Sequence, residues 1–179
     1  LLIFVLFVAL YAFLSLYDFN KFKPMIAKVV KDATGRELTI AGNIEFELGV
    51  MPTLIVEDVS FQNASWSSTP HLAQVKRMEV QLDVLPIITG KLDIARLVLI
   101  EPTMIVEFNP SGTSNLAFDT AAQKPEETQL APPPLIFSDI LIENGRFNYK
   151  NARSDFNFFV RIDHLPSERL GFFETLVLN

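Results

Sequence analysis

The first seventeen residues, Leu1–Tyr17 (LLIFVLFVALYAFLSLY), carry no charge, and Ser15 is their only strongly polar side chain. As a helix this run would be about 25 Å long, close to the roughly 30 Å hydrocarbon core of a bilayer. A buried core helix is rarely apolar on every side at this length. The reading is therefore an uncleaved transmembrane anchor over 1–17. A cleaved secretory signal competes with it, but no small-x-small cleavage site follows Ser15. Lys21, Lys23, Lys28 and Lys31 follow the run. Charge alone does not fix its orientation, because long downstream domains cross membranes largely regardless of charge. The chain opens on Leu and closes on Leu-Val-Leu-Asn. The expectation is a natural protein that extends beyond both ends.

After the anchor, Phe19, Phe22, Ile26, Val29, Val30 and Ala33 recur at spacings of three and four. That predicts one amphipathic helix over 18–35, with Asn20 as N-cap, Pro24 in the first turn and Gly35 as the stop.

Beyond Gly35 the apolar period falls from 3.6 to 2. Met78, Val80, Leu82 and Val84 alternate with Arg77, Glu79, Gln81 and Asp83, and Met104, Val106 and Phe108 flank Glu107. Gly42-Asn43 and Asn144-Gly145 sit between short alternating runs and predict two hairpins. Short strands punctuated by turn residues predict an antiparallel sheet. Residues 119–134 (DTAAQKPEETQLAPPP) read as a proline-rich linker or loop, dividing a β domain over 36–118 from a continuing β repeat over 135–179. The fold class expected is mainly β with N-terminal α: transmembrane helix, amphipathic helix, then an antiparallel curved β-sheet, forming a groove where no second sheet covers it.

One helix, roughly 10 Å across, covers only about two or three strands spaced about 4.8 Å apart. The rest of the apolar sheet face needs a cover: a second sheet, a partner protein, or an apolar ligand such as lipid chains. On the lipid alternative the facing residues are Met78, Val80, Leu82, Val84, Met104, Val106 and Phe108. Phe156, Phe158 and Phe159 read as core in preference to lipid contacts. Trp66 is either an interfacial contact or a lid on the core.

Little in the chain points to catalysis. It has no cysteine, so disulfides, thiolate metal sites and a cysteine nucleophile are excluded. Its formal net charge of −6 argues against a nucleic-acid partner. His71 and His164 have no metal-ligand spacing, no Gly-x-Ser-x-Gly or phosphate loop occurs, and Glu45 and Glu47 read as a solvated strand face. Asn63-Ala-Ser65 matches a glycosylation sequon of the kind common by chance. The expectation is no enzyme, no cofactor and no metal.

Several segments in order resemble the N-terminal region of the AsmA-like family. They are DFNKFKP (18–24), KDATGRELTIAG (31–42), LIVEDV (54–59) with Asn63-Ala64, LPIITGKLDI (85–94), LVLIEP (97–102), NPSGTSNL (109–116) and NGRFNY (144–149). The strand before Pro52 departs from the family's usual Phe-Pro. The family's long C-terminal β region lies outside this chain, so a complete lipid path is not expected within it. The resemblance implies a single-pass bacterial inner-membrane protein with its body in the periplasm. It implies a taco-like apolar β groove, capped at the membrane end by the amphipathic helix, that binds or conducts phospholipid toward the outer membrane. The alternative is an interaction module that supports outer-membrane protein assembly through an outer-membrane or periplasmic protein partner.

Overall fold

The computed structural model describes residues 5, 8, 12, 13, 16–49, 51–83, 94–118 and 139–165. A 3-10 turn, Phe19–Phe22, leads into helix α1, Lys23–Thr34. Among the described residues eight strands follow: β1 Leu38–Ile40, β2 Ile44–Glu47, β3 Thr53–Gln62, β4 His71–Leu82, β5 Ile94–Ile100, β6 Thr103–Phe108, β7 Ile140–Asn151 and β8 Phe156–Leu165. The expected anchor falls mostly outside the described residues; Val5, Val8, Ala12, Phe13 and Leu16 are helical. No helix among the described residues is long and apolar enough to cross a membrane.

The helix stops where expected but starts differently. Gly35 adopts φ 72°, and its N–H donates to the Lys31 carbonyl at 2.8 Å, the left-handed ending that glycine permits. At the start α1 has no side-chain cap; Asp18 caps the 3-10 turn ahead of it, its carboxylate accepting from the Asn20 N–H at 3.0 Å. The Asn20 side-chain oxygen instead accepts from the Ile44 N–H at 3.0 Å and ties the helix entry to β2. α1 packs on β1, yet none of its residues is buried.

The strands form one curved sheet of mixed sense, which corrects the expectation of a purely antiparallel one. β7 runs parallel to β5 (Leu97↔Ile140 to Ile100↔Glu143) and to β6 (Thr103↔Arg146 to Phe108↔Asn151). Parallel neighbours need a connection of about a dozen residues or more. The chain between Phe108 and Ile140 is long enough to return to the start of the sheet.

Neither predicted hairpin forms. β1 and β2 do not pair with each other; both pair antiparallel with β3, end to end along one edge. Asn144-Gly145 lies in the middle of β7, which continues straight through it. Both dipeptides instead mark a transverse crease. Asp58 (φ 50°), Glu101 (φ 51°) and Asn144 (φ 53°) are left-handed residues within or between strands. The registers either side of them place Asp58 level with Lys76, Lys76 with Glu101, Glu101 with Asn144, and Asn144 with Asp163. A left-handed residue interrupts the period-2 alternation of a strand. The apolar positions accordingly change parity at this row, from Leu54, Val56, Met78 and Val80 on one side to Val59, Phe61, Val75 and Ala73 on the other. Gly145 is needed beside the crease because a β-carbon there would stand 2.9 Å from Ile142 Cγ2.

Among the described residues the buried apolar core consists of Ile44, Ile55, Val56, Leu72, Ile94, Val98, Ile105 and Val106.

Candidate functional site

β6, β7 and β8 carry an aromatic surface beyond the crease. Cross-strand register aligns Met104, Phe147 and Val160 in one row, Val106, Tyr149 and Phe158 in the next, and Phe108, Asn151 and Phe156 in the third. Residues opposite one another in a ladder share a face. Tyr149 stacks on Phe158 at 5.1 Å between ring centroids, with Phe108 5.8 Å from Tyr149 and Phe147 5.9 Å from Phe158. The surface is uncovered at its outer margin, where Phe156 is 56 %, Phe158 40 % and Val160 40 % exposed. These side chains rest on their strands with nothing over them among the described residues.

Across the crease lies a second apolar set. Leu54, Val80, Leu97 and Ile140 align in one row, and Val56, Met78, Leu99, Ile142 and Leu165 in another. Most of these are half-buried.

A buried polar lock closes one end of the sheet. Asn115 is completely buried and satisfied: its side-chain amide donates to Asn63 Oδ1 and to the Ile105 carbonyl, both at 2.9 Å, and its Oδ1 accepts from the Glu107 N–H at 2.9 Å. Arg36, just past the helix end, donates to the carbonyls of Asn115 at 2.5 Å and Ala117 at 2.8 Å, and its guanidinium lies 4.6 Å from the Phe118 ring centroid. The buried Glu107 carboxylate accepts from the Ser67 and Ser68 hydroxyls and from the Ser68 N–H at 3.2 Å, with Lys150 Nζ 3.7 Å away. Burial pushes the Glu107 carboxyl up, but these donors together hold it below its ordinary range. The lock fixes the β3–β4 loop and the turn after β6 to each other. Trp66, Phe108, Pro110 and Lys150 line a mainly apolar cavity of about 590 Å³ beside it.

The AsmA family model matches residues 1–162. The chain belongs to the AsmA family. No curated protein and no solved structure matches it.

Within this AsmA-family chain, the seven residues expected to face lipid fall into two groups. Met78, Val80 and Leu82 are half-buried on β4, on the Leu54–Leu97 side of the crease. Met104 and Phe108 are half-buried, and Val106 is buried, on the aromatic side. Val84 lies outside the described residues, as do the stretch 119–134 and most of the Leu-Pro…Gly segment. The phenylalanines of β8 are a correction: Phe156, Phe158 and Phe159 were expected in the core and are exposed, because β8 pairs only with β7 among the described strands. Trp66 is 41 % exposed at the mouth of the 590 Å³ cavity. Asn63 of the sequon is only 4 % exposed and is committed to Ser67, Thr69 and Asn115, so it is no glycan acceptor in the folded chain. His71 opens β4, and His164 Nδ1 lies 3.8 Å from Glu143. No group of metal-ligating side chains occurs among the described residues. Sequence reasoning assigned no chemical role to Arg36, Glu107 or Asn115, although Arg36 stands within KDATGRELTIAG and Asn115 within NPSGTSNL, and it did not show the crease.

Proposed function

We propose that this AsmA-family protein is held at a bacterial inner membrane by the apolar segment 1–17 and has its body in the periplasm. There it binds or conducts phospholipid along the apolar surface of its sheet, without catalysis. The observation that carries the reading is the exposed row Phe156, Phe158 and Val160, continuous through Tyr149 and Phe147 with the sheet interior. Water is a poor cover for so much contiguous apolar area, and such patches mark interaction sites. Acyl chains fit the surface because it is aromatic and aliphatic, without a fixed polar pattern. The segment 1–17 and family membership favour lipid as the source.

Native mass spectrometry of the full chain, purified in mild detergent, tests this reading. Co-purifying phospholipid is the expected result, and a lipid-free spectrum across several detergents contradicts it.

A second reading rests on a separate observation. β8 is ten residues long and pairs only with β7 among the described strands. An open edge of that length is a template for β-addition by another chain, which suits a module supporting outer-membrane protein assembly. Cross-linking from β8 to a protein strand, without bound lipid, would favour it.

A further inference from the structure

Two arginines stand directly opposite each other in the sheet. Arg146 on β7 pairs in register with Arg161 on β8, and Thr103 on β6 pairs with Arg146 from the other side. Like charges directly opposed across a ladder destabilise it. Neither guanidinium holds an ion pair or a side-chain hydrogen bond among the described residues, and both side chains are exposed. The two arginines, Thr103, Asn144, Glu101 and Asp163 line a polar hollow of about 320 Å³ at the crease. Of its two carboxylates, Glu101 is neutralised by Lys76 at 3.0 Å. Asp163 stands beyond ion-pair distance of both arginines. Two arginines against the single unneutralised carboxylate leave the hollow net cationic, with a hydroxyl and an amide as further donors.

We infer that the row Thr103–Arg146–Arg161 is an anion site for a phosphate group. Guanidinium is the side chain best matched to phosphate, because its fork of N–H donors spans two oxygens at once. A phosphate between the two arginines would turn their mutual repulsion into shared attraction. It would also explain why a sheet tolerates this pair without an internal counter-ion. The hollow lies at the crease; Arg146 and Arg161 alternate with Phe147 and Val160 and so face the side of the sheet opposite the aromatic rows. A phosphodiester headgroup carries the oxygens that such a pair of guanidinium groups takes. Free phosphate offers the same oxygens. The anion site does not depend on the lipid reading; only its assignment to a headgroup does.

The test uses the full chain in non-ionic detergent, titrated with inorganic phosphate and, separately, with dihexanoyl phosphatidylglycerol. Binding is followed through the Nε–Hε NMR signals of the arginines. The site predicts saturable shifts of the Arg146 and Arg161 signals. Arg146→Gln/Arg161→Gln should weaken binding about tenfold or more, with an unchanged circular-dichroism spectrum. Asp163→Asn should tighten it. Without ligand, Arg161→Gln alone should raise the melting temperature, since it relieves the repulsion; a merely structural arginine would lower it. Equal affinity for the two probes identifies a free-anion site. Tighter binding of the phosphatidylglycerol, lost in the double variant, identifies a headgroup site. The absence of saturable shifts with either probe, or binding that survives in the double variant, overturns the inference. Co-purifying lipid that persists in the double variant would overturn the headgroup site while leaving the lipid reading intact.

Discussion

Gly42 lies so close to Glu57 that a β-carbon at position 42 would stand 2.6 Å from Glu57 Cβ and 2.8 Å from its carbonyl carbon. The contact arises because the chain runs straight from β1 to β2 along β3. The Gly42 N–H donates to the Glu57 carbonyl at 3.2 Å, and the Glu57 N–H donates to Asn43 O at 3.0 Å. Two of the three closest atoms are backbone and cannot swing away. Gly42→Ala should therefore destabilise the chain by about 1–3 kcal/mol, as overpacking does. Urea denaturation measures it. A free turn of a two-residue hairpin would tolerate alanine far better, so the size of the loss separates the two geometries.

The crease makes a matching prediction at Asn144. With φ at 53°, this residue occupies the left-handed region that β-branched side chains resist. Asn144→Val should cost about 1–2 kcal/mol, while Asn144→Gly should lie within about 0.5 kcal/mol of the parent. Thermal unfolding of the two variants side by side gives the comparison.

Much of this architecture was legible, and the failures share one cause. The strands around Met78–Leu82, Met104–Phe108 and Phe147–Tyr149 follow from period-2 alternation, because one side of each strand is shielded. Gly35 as helix stop follows from its left-handed cap. Gly42-Asn43 and Asn144-Gly145 were legible as sites of unusual backbone but not as what that backbone does. The same residue types serve a hairpin and a mid-strand crease, and only the partner strand distinguishes them. Parallel pairing of β7 with β5 and β6 was hidden for the same reason, since strand neighbours are a non-local choice. The β8 phenylalanines were misplaced because alternation shows that a face is apolar, not that anything covers it. Arg36, Glu107 and Asn115 gave no periodic signal; their roles depend on partners up to 81 residues away.

Glu107 predicts a pH dependence. Its folded-state carboxyl lies below its ordinary range, so in the unfolded chain it holds a proton more readily. The stabilisation is therefore fully present above the ordinary carboxylate range and is lost as pH falls through that range and below. Glu107→Gln should flatten this part of the stability–pH curve. At neutral pH it should cost about 1–3 kcal/mol, because Ser67, Ser68 and Lys150 lose a charged acceptor. Denaturation midpoints at pH 7 and pH 4 for both chains test the sign.

Asn115 should be the most sensitive polar position. Alanine there strips partners from Asn63 Oδ1, the Ile105 carbonyl and the Glu107 N–H at a site with no solvent access. The expected loss is about 2–4 kcal/mol, as buried groups left unpaired each carry a desolvation cost. Hydrogen exchange of the Glu107 amide should accelerate in the same variant.

The aromatic face must be separable from the core. Val98→Asp puts a charge at a site only 7 % exposed and should abolish cooperative folding. Phe158→Asp, at 40 % exposure, should fold within about 1–2 kcal/mol of the parent yet lose co-purifying lipid. If both unfold, the face is ordinary core.

The most direct measurement places a photo-cross-linking amino acid on β8 in membranes containing labelled phospholipid. Phe156, Phe158 and Val160 lie in register with the aromatic rows, whereas Asn157 alternates to the opposite face. The account predicts lipid adducts from 156, 158 and 160 and few from 157. Equal labelling at all four positions, or adducts to protein alone, would contradict it.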